Sequence, residues 1–331
     1  MRLLVTGGAG YIGSVCAQAL LRQGHDVVVL DNLSNGHRGA VPQQTELIEA
    51  DLLDPVALAA AVNPEAAFDG VLHFAALALV SESVSHPERY WRTNVAGTLN
   101  LLDAMRAAGI PRLVFSSTCA CYGEPDRIPM TEETPERPAS PYGESKLTVD
   151  RMIGSESAAH GLGAISLRYF NVAGASGDLG EDHDPETHLI PNVLKVARGE
   201  REWVDVFGTD YPTEDGTAVR DYIHIEDLAD AHVLAVEQTT PQKHRILNLG
   251  NGAGFSVRQV IAAARHVTGH PIPVREAPRR PGDPAQLVAG SDRIRAELGW
   301  APRKPGIEAI VADAWTWHQA HPGGYGSEEV A

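Results

Sequence analysis

Tyr142 and Lys146 stand four residues apart in "SPYGESKL". On a helix that spacing puts both side chains on one face. A phenol with an ordinary pKa of about 10 is a poor base at neutral pH until an ammonium beside it stabilises the phenolate, so the pair reads as a base and its activator. Thr118, in "FSSTCACYGE", ends the preceding apolar run and is a third candidate beside the pair. Two plainer readings compete: Tyr142 as an amphipathic surface tyrosine, and Thr118 as a strand-end hydroxyl capping local backbone. Lysine occurs only at Lys146, Lys195, Lys243 and Lys304, which gives its placement here weight.

A second constellation opens the chain. In "LLVTGGAGYIG", Gly8, Gly10 and Gly13 match G-x-G-x-x-G, and Thr6, Gly7, Gly10 and Gly13 match T-G-x-x-G-x-x-G. Glycines so placed allow a tight turn, close approach of backbone to a pyrophosphate, and close packing of helix on strand, with the helix N-terminus facing the anion. Asp31 follows Gly13 by eighteen residues, where a carboxylate receives the adenosine ribose hydroxyls and disfavours a 2'-phosphate. These residues point to NAD.

His183, His188 and His224 invite a metal reading, but no spacing here sets them beside carboxylates on a shared element, and satisfied loop or core histidines are expected. Cys119 and Cys121 alternate at a strand end and are expected to fill space as small hydrophobes. With Cys16 they make three cysteines, which form no disulfide framework or zinc motif. No metal is expected.

The elements that must position these residues alternate along the chain. "RLLV", "DVVVL", "TELIEA", "GVLHF", "PRLVFSS" and "AISLRYF" read as strands with helical patterns between most of them, which implies a doubly wound parallel sheet of the Rossmann kind, an α/β fold. After Gly174 come long polar, Gly- and Pro-punctuated segments, a length that is usually functional. "VRDYIHIEDLADAHVLAV" and "RILNLG" read as strand, helix and strand returning to the main sheet. The expected NAD-binding domain is 1–174 plus about 217–252. About 175–216 and 253–331, with a terminal helix near Ile307 to His318, are expected to form a smaller mixed α/β lobe for the substrate.

The chain has 331 residues, is 43% hydrophobic and carries a formal net charge of -16. That charge argues against a nucleic-acid or anionic-membrane partner, both of which need a broad positive field. An anionic ligand must then be met by a few local cations or helix N-termini. The first residues run straight into structure and no apolar stretch reaches a membrane span, so a cytoplasmic location is expected.

Beside these readings stands a resemblance. "TGGAGYIG", "DNLSNG", "HFAA", "NVAGTLNLL", "SPYGESKL", "LRYFNVAGA", "YPTEDGTAVRDYIHIEDLADAH", "LNLGNG" and "RRPGD" resemble the extended short-chain dehydrogenases, and among them the UDP-glucose 4-epimerases, over essentially the whole chain. The resemblance implies NAD as cofactor, held by Gly7, Gly10, Tyr11, Ile12, Gly13, Asp31, Asn32, Asn35, Gly36, Asp51, Leu52, Phe74, Ala75, Ala76, Asn94, Ser116, Tyr142, Lys146 and Phe170. It implies a UDP-sugar held by Thr118, Asn171, His188, Leu189, Phe207, Arg220, Arg280, Asp283 and Leu287. Tyr142 would remove the sugar 4-OH proton, Thr118 would bond that oxygen, and Lys146 would hold the nicotinamide ribose and lower the pKa of Tyr142. A hydride would leave C4 for tightly held NAD, and the resulting 4-keto sugar would swing about its link to the diphosphate and take the hydride back on its other face. A homodimer through helices near Pro87–Ala107 and Pro141–His160 is also implied.

Three departures and alternatives qualify this. Ala78 stands where some relatives carry a lysine near the cofactor phosphates, which weakens the expectation that NAD is retained. Leu287 occupies a gate position filled by tyrosine or cysteine elsewhere, and implies intermediate room. Neither residue after Thr118 is an acid, which tells against a 4,6-dehydratase. A 4-epimerase of another UDP sugar, a simple NAD-dependent dehydrogenase and a silent dinucleotide sensor remain as alternatives.

Overall fold

The opening apolar run forms β1 (Arg2–Thr6), buried from Leu3 onward. The computed structural model describes residues 1–280 and 282–326. After β1 the chain alternates as the sequence implies: α1 (Tyr11–Arg22), β2 (Asp26–Asp31), β3 (Glu46–Glu49), α2 (Pro55–Ala61), β4 (Gly70–His73), α3 (Val80–Ser85) and α4 (Pro87–Tyr90). A π-helical turn, Trp91–Ala96, leads into α5 (Gly97–Ala108), then β5 (Arg112–Thr118), α6 (Pro141–His160), β6 (Gly163–Tyr169) and β7 (Asn171–Ala173). Beyond these lie α7 (Leu189–Ala197), β8 (Val204–Phe207), β9 (Val219–His224), α8 (Ile225–Glu237), β10 (His244–Leu249) and β11 (Gly254–Ser256). α9 (Val257–Thr268), β12 (Val274–Ala277), β13 (Gln286–Leu287), α10 (Asp292–Leu298) and α11 (Ile307–Ala320) complete the described residues.

Seven strands make one sheet in the order β10-β6-β5-β4-β1-β2-β3, every pair parallel. The reversal beside β1 is the switch point at which open α/β sheets bind ligands. One face packs Val15, Leu20, Leu228 and Val236 of α1 and α8 on the sheet. The other packs Leu58, Leu101, Met105, Val149 and Ile153 of α2, α5 and α6. Each such side chain, fully buried, contributes about 1.5–3 kcal/mol, so both faces are closed against water.

One expectation is corrected. Val219–His224 is a strand, as its pattern implies, but it does not join the main sheet. β9 pairs instead antiparallel with β11 and parallel with β13 and β7. Because β7 follows β6 directly, this second sheet starts from the carboxyl end of the first. Its neighbours α7, α9 and α11 share a separate apolar cluster with Val204 and Tyr222.

α6 is fastened to the sheet by charge as well as packing. The Arg168 guanidinium of β6 donates to Asp150 Oδ2 at 2.8 and 3.0 Å and to Glu136 at 2.7 Å. Ser117 of β5 donates to the same Asp150 oxygen at 3.0 Å. Arg168 and Asp150 are almost wholly buried, and removing one partner of such a pair leaves an uncompensated charge. Asp150→Ala should therefore lower the unfolding free energy by about 3–5 kcal/mol in urea titration; a loss below about 1 kcal/mol would show that this pair does not hold α6 in place.

Candidate active site

α6 begins with Ser140, whose hydroxyl accepts from the Gly143 amide at 3.2 Å, followed by Pro141 at the first helical position. Serine before proline is a strong helix start. It fixes Tyr142 in the first turn and Lys146 one turn later. Gly143 then decides how close the helix comes to β5: a Cβ there would stand 2.5 Å from the Ala120 carbonyl oxygen. That approach brings Tyr142 against Thr118, which closes β5 level with Tyr169 of β6.

Lys146 is buried, donates to the Ser116 carbonyl at 2.8 Å and lies 4.8 Å from the centre of the Phe115 ring. Burial pulls its ammonium down to about 8. The Tyr142 phenol is raised above its ordinary value, by burial first and then by neighbouring Tyr169, while its bond with Thr118 acts the other way. The Lys146 ammonium is turned to the Ser116 carbonyl, and burial dominates the Tyr142 phenol. The Ser116 hydroxyl bonds the Tyr169 phenol.

The glycine turn has the geometry of a phosphate cradle. Gly7 takes φ 72°, and a side chain there would meet the Ala75 backbone; one at Gly13 would collide with the Gly7 carbonyl. Gly10 caps α1 without a side chain, so no side chain occupies the amides of Tyr11, Ile12 and Gly13 and the positive end of the helix. Asp31, buried at the end of β2, accepts from the amides of Ala9 at 3.0 Å and Leu33 at 2.8 Å. Burial raises its carboxyl and those amides lower it. Asn32 donates to Asp51 at 2.9 Å, with Leu52 buried beside it and the exposed Asn35 before Gly36, which packs on Ala9. Phe74 packs on His232, and the Ala75 amide bonds Thr6, carrying the chain through Ala76 to the exposed Ala78. These residues fit a dinucleotide: an open helix N-terminus for its pyrophosphate and a carboxylate for its ribose.

Asn94 differs from its neighbours in being fully engaged. From the π-helical turn its side chain accepts from the Leu77 amide at 2.8 Å and donates to the Leu77 carbonyl and to Ser145, both at 3.0 Å. It therefore ties the loop after β4 to α6, and π-helical turns often mark functional sites. Phe170 packs with Tyr122, Met130 and Ala289, against Cys119 and Leu287.

Around β9 the structure gathers most of the residues expected to hold UDP. Leu287 pairs in register with Arg220. Asp283 bonds Arg220 through one oxygen and Arg280 through the other, the latter at 2.9 Å, and Arg280 lies 5.1 Å from the Phe207 ring centre. One carboxylate thus holds two guanidinium forks and leaves one positive charge over. Cys119 lies within electrostatic reach of both Arg220 and Tyr142, linking this cluster to the base. Asn171 opens β7 opposite Tyr222.

Several side chains here carry no sequence signal. Asp221 accepts the amides of Asn251, Gly252 and Ala289 at 2.9–3.1 Å and is pushed up to about 6 by burial. Buried His73 bonds Thr6 and Thr98 at 2.7 and 2.9 Å and falls to about 3. Cys119 and Cys121 lie in a short 3-10 turn, not a strand end; burial pushes both thiols up to about 12, so they pack as small hydrophobes.

The histidines divide. His224 is buried, bonds Asp313 at 3.0 Å and caps α8. His188, expected at the substrate beside Leu189, turns Nδ1 to Glu181 at 2.8 Å and Glu186 at 2.9 Å. His183 faces the same two carboxylates at 3.3 and 3.7 Å. The expectation that no histidine cluster includes carboxylates is overturned.

Seven parallel strands, a glycine turn at the switch point and a tyrosine–lysine helix define a dinucleotide-binding α/β enzyme. Residues 3–250 match the NAD dependent epimerase/dehydratase family. The UDP-glucose 4-epimerase of Corynebacterium glutamicum is 58% identical over 320 residues, 97% of this chain and 96% of its own. A solved UDP-glucose 4-epimerase has a TM-score of 0.95 at 45% identity, covering 99% of this chain and 100% of its own. Another, from Brucella ovis in complex with NAD, has a TM-score of 0.91 at 43% identity, over 95% of this chain and 97% of that one. The chain belongs to the NAD dependent epimerase/dehydratase family.

Helix propensity alone would make Gly143→Ala stabilising by about 1 kcal/mol. Here the Ala120 carbonyl blocks the added methyl, so thermal or urea unfolding should instead show a destabilisation of about 1–3 kcal/mol, and a gain in stability would contradict the close approach.

Proposed function

We propose that this chain is an NAD-dependent epimerase that interconverts UDP-glucose and UDP-galactose through a 4-keto sugar. The observation that carries the reading is the juxtaposition of a buried tyrosine base with an arginine pair sharing one acid. In this reading Tyr142 removes the proton from the sugar 4-OH while Thr118 bonds the same oxygen. NAD, held by the glycine turn and Asp31, would supply a reversible hydride acceptor for the sugar C4. Lys146, one helical turn on, would hold the nicotinamide ribose, and its ammonium would lower a phenol that burial holds high. The glycine turn, Asp31, Asn32 and Asp51 bind the adenosine diphosphate part, with Phe74, Asn94, Ser116 and Phe170 shaping the nicotinamide side.

Arg220 and Arg280 hold the substrate diphosphate, and Asn171, Phe207, Asp283 and Leu189 complete that anchor. Firm binding at the nucleotide end leaves the hexose free to present either face, which is what differential binding in such a reaction requires. The unneutralised charge of the arginine pair lets a chain of net charge -16 bind a dianion. Cys119 and Ala120 follow Thr118, so there is no acid there for water elimination. The cofactor part of the chain is 1–174 with about 217–252, less the two strands, β7 and β9, that pair in the second sheet, and the remainder binds the UDP-sugar.

No helix among the described residues is long and apolar enough to cross a membrane. The reading places the enzyme in the cytoplasm, consistent with three unpaired cysteines. It also makes it a homodimer: Trp91 and Leu99, on the helical stretch expected to meet a second copy, are 42% and 47% exposed.

Tyr142→Phe should fold and bind NAD normally while turnover of UDP-galactose falls by a factor on the order of 10² or more; near-normal turnover removes Tyr142 from the base role. Leu287, packed at the rim with Phe170 and Cys119, should make UDP-N-acetylglucosamine a poor substrate, so comparable rates on it and UDP-glucose would contradict the assigned gate.

A further inference from the structure

Four side chains from one loop, Glu181, His183, Glu186 and His188, converge so that one donor atom from each lies within 4.8 Å of all the others. The separations of the imidazole Nδ1 atoms from the carboxylate oxygens are 2.8, 2.9, 3.3 and 3.7 Å. A tetrahedral ion with bonds of 2.0–2.2 Å has donor–donor edges of about 3.3 Å, inside that range. We propose that this cluster is a divalent transition-metal site, of which zinc is the representative ion, independent of the catalytic reading above.

Three observations favour a cation over a plain ion-pair cluster. His183 Nδ1 is buried and meets neither flanking carboxylate closely, the nearer oxygens standing at 3.3 and 3.7 Å. Glu186 is aimed by the His188 amide, which donates to its Oε1 at 2.7 Å. Two imidazoles with two carboxylates form a donor set that suits zinc and its neighbours, whereas magnesium and calcium take oxygen shells.

The frame around the donors is already fixed. Trp317 of α11 donates to the Asp178 carbonyl at 2.9 Å, and Tyr325 exchanges hydrogen bonds with Gly180 at 2.9 and 3.1 Å. His37 bonds the Asp182 carbonyl at 3.0 Å. A cavity of about 210 Å³ lined by Glu181, His183, Glu186 and His318 adjoins the cluster, and the half-exposed His188 gives an ion a way in. Four protein donors close a tetrahedral shell, which marks the site as structural rather than catalytic. The ion would clamp the loop between β7 and α7, holding the start of α7 in place.

The test is metal uptake by the intact protein. After dialysis against dipicolinate and return of zinc, mass spectrometry of the desalted protein should find about one zinc per chain, and the thermal midpoint should rise. Magnesium should do neither. His183→Gln should reduce zinc affinity by at least about 10-fold while melting, zinc-free, like the zinc-free parent. Cobalt-loaded parent protein needs no variant: its X-ray absorption should show an N/O shell with imidazole scattering. No retained zinc, sulfur in the cobalt shell, or a shell without imidazole would each overturn the site.

Discussion

The site depends on how closely α6 lies against the end of β5. A helix normally keeps its side chains between itself and its neighbour, at axial distances of 8–10 Å between helices. Here Gly143 removes the side chain at the contact, and the first turn sits on the Ala120 carbonyl. Tyr142 and Thr118 meet because of that approach. Asn94, bonded to Ser145 from the π-helical turn, and Asp150, bonded to Ser117 and Arg168, hold the same helix from its other sides.

Electrostatics at the site follow from burial. Both members of the tyrosine–lysine pair are shifted toward neutrality by loss of water, the phenol up and the ammonium down to about 8. A cation brought beside the phenol would offset its shift. At the nucleotide end the logic is reversed. Asp283 draws two guanidinium groups to one place and cancels only one of them, concentrating positive charge on an otherwise acidic protein.

Local features were legible in the sequence and non-local ones were not. The glycine turn, Asp31 and the tyrosine–lysine spacing declare themselves because each acts within one element or one βαβ unit. "VRDYIH" was readable as a strand, but which sheet it joins depends on partners as distant as Leu287. The cluster at Glu181, His183, Glu186 and His188 was missed for a related reason. Its spacing matches neither helix nor strand periodicity, and only the folding of an irregular loop against Trp317 and Tyr325 brings the four together. The role of Gly143 was equally hidden, since a glycine in "PYGESK" looks like a weakness in a helix until its neighbour is seen.

In the proposed reaction a hydride leaves C4 and returns to the same carbon while the nucleotide stays bound. Supplying UDP-galactose deuterated at C4, with a catalytic trace of NAD, and following it by NMR tests this directly. UDP-glucose should retain the label at C4 and reach a fixed equilibrium with no build-up of reduced cofactor. Loss of deuterium to solvent, or reduced cofactor accumulating in step with product, would contradict it.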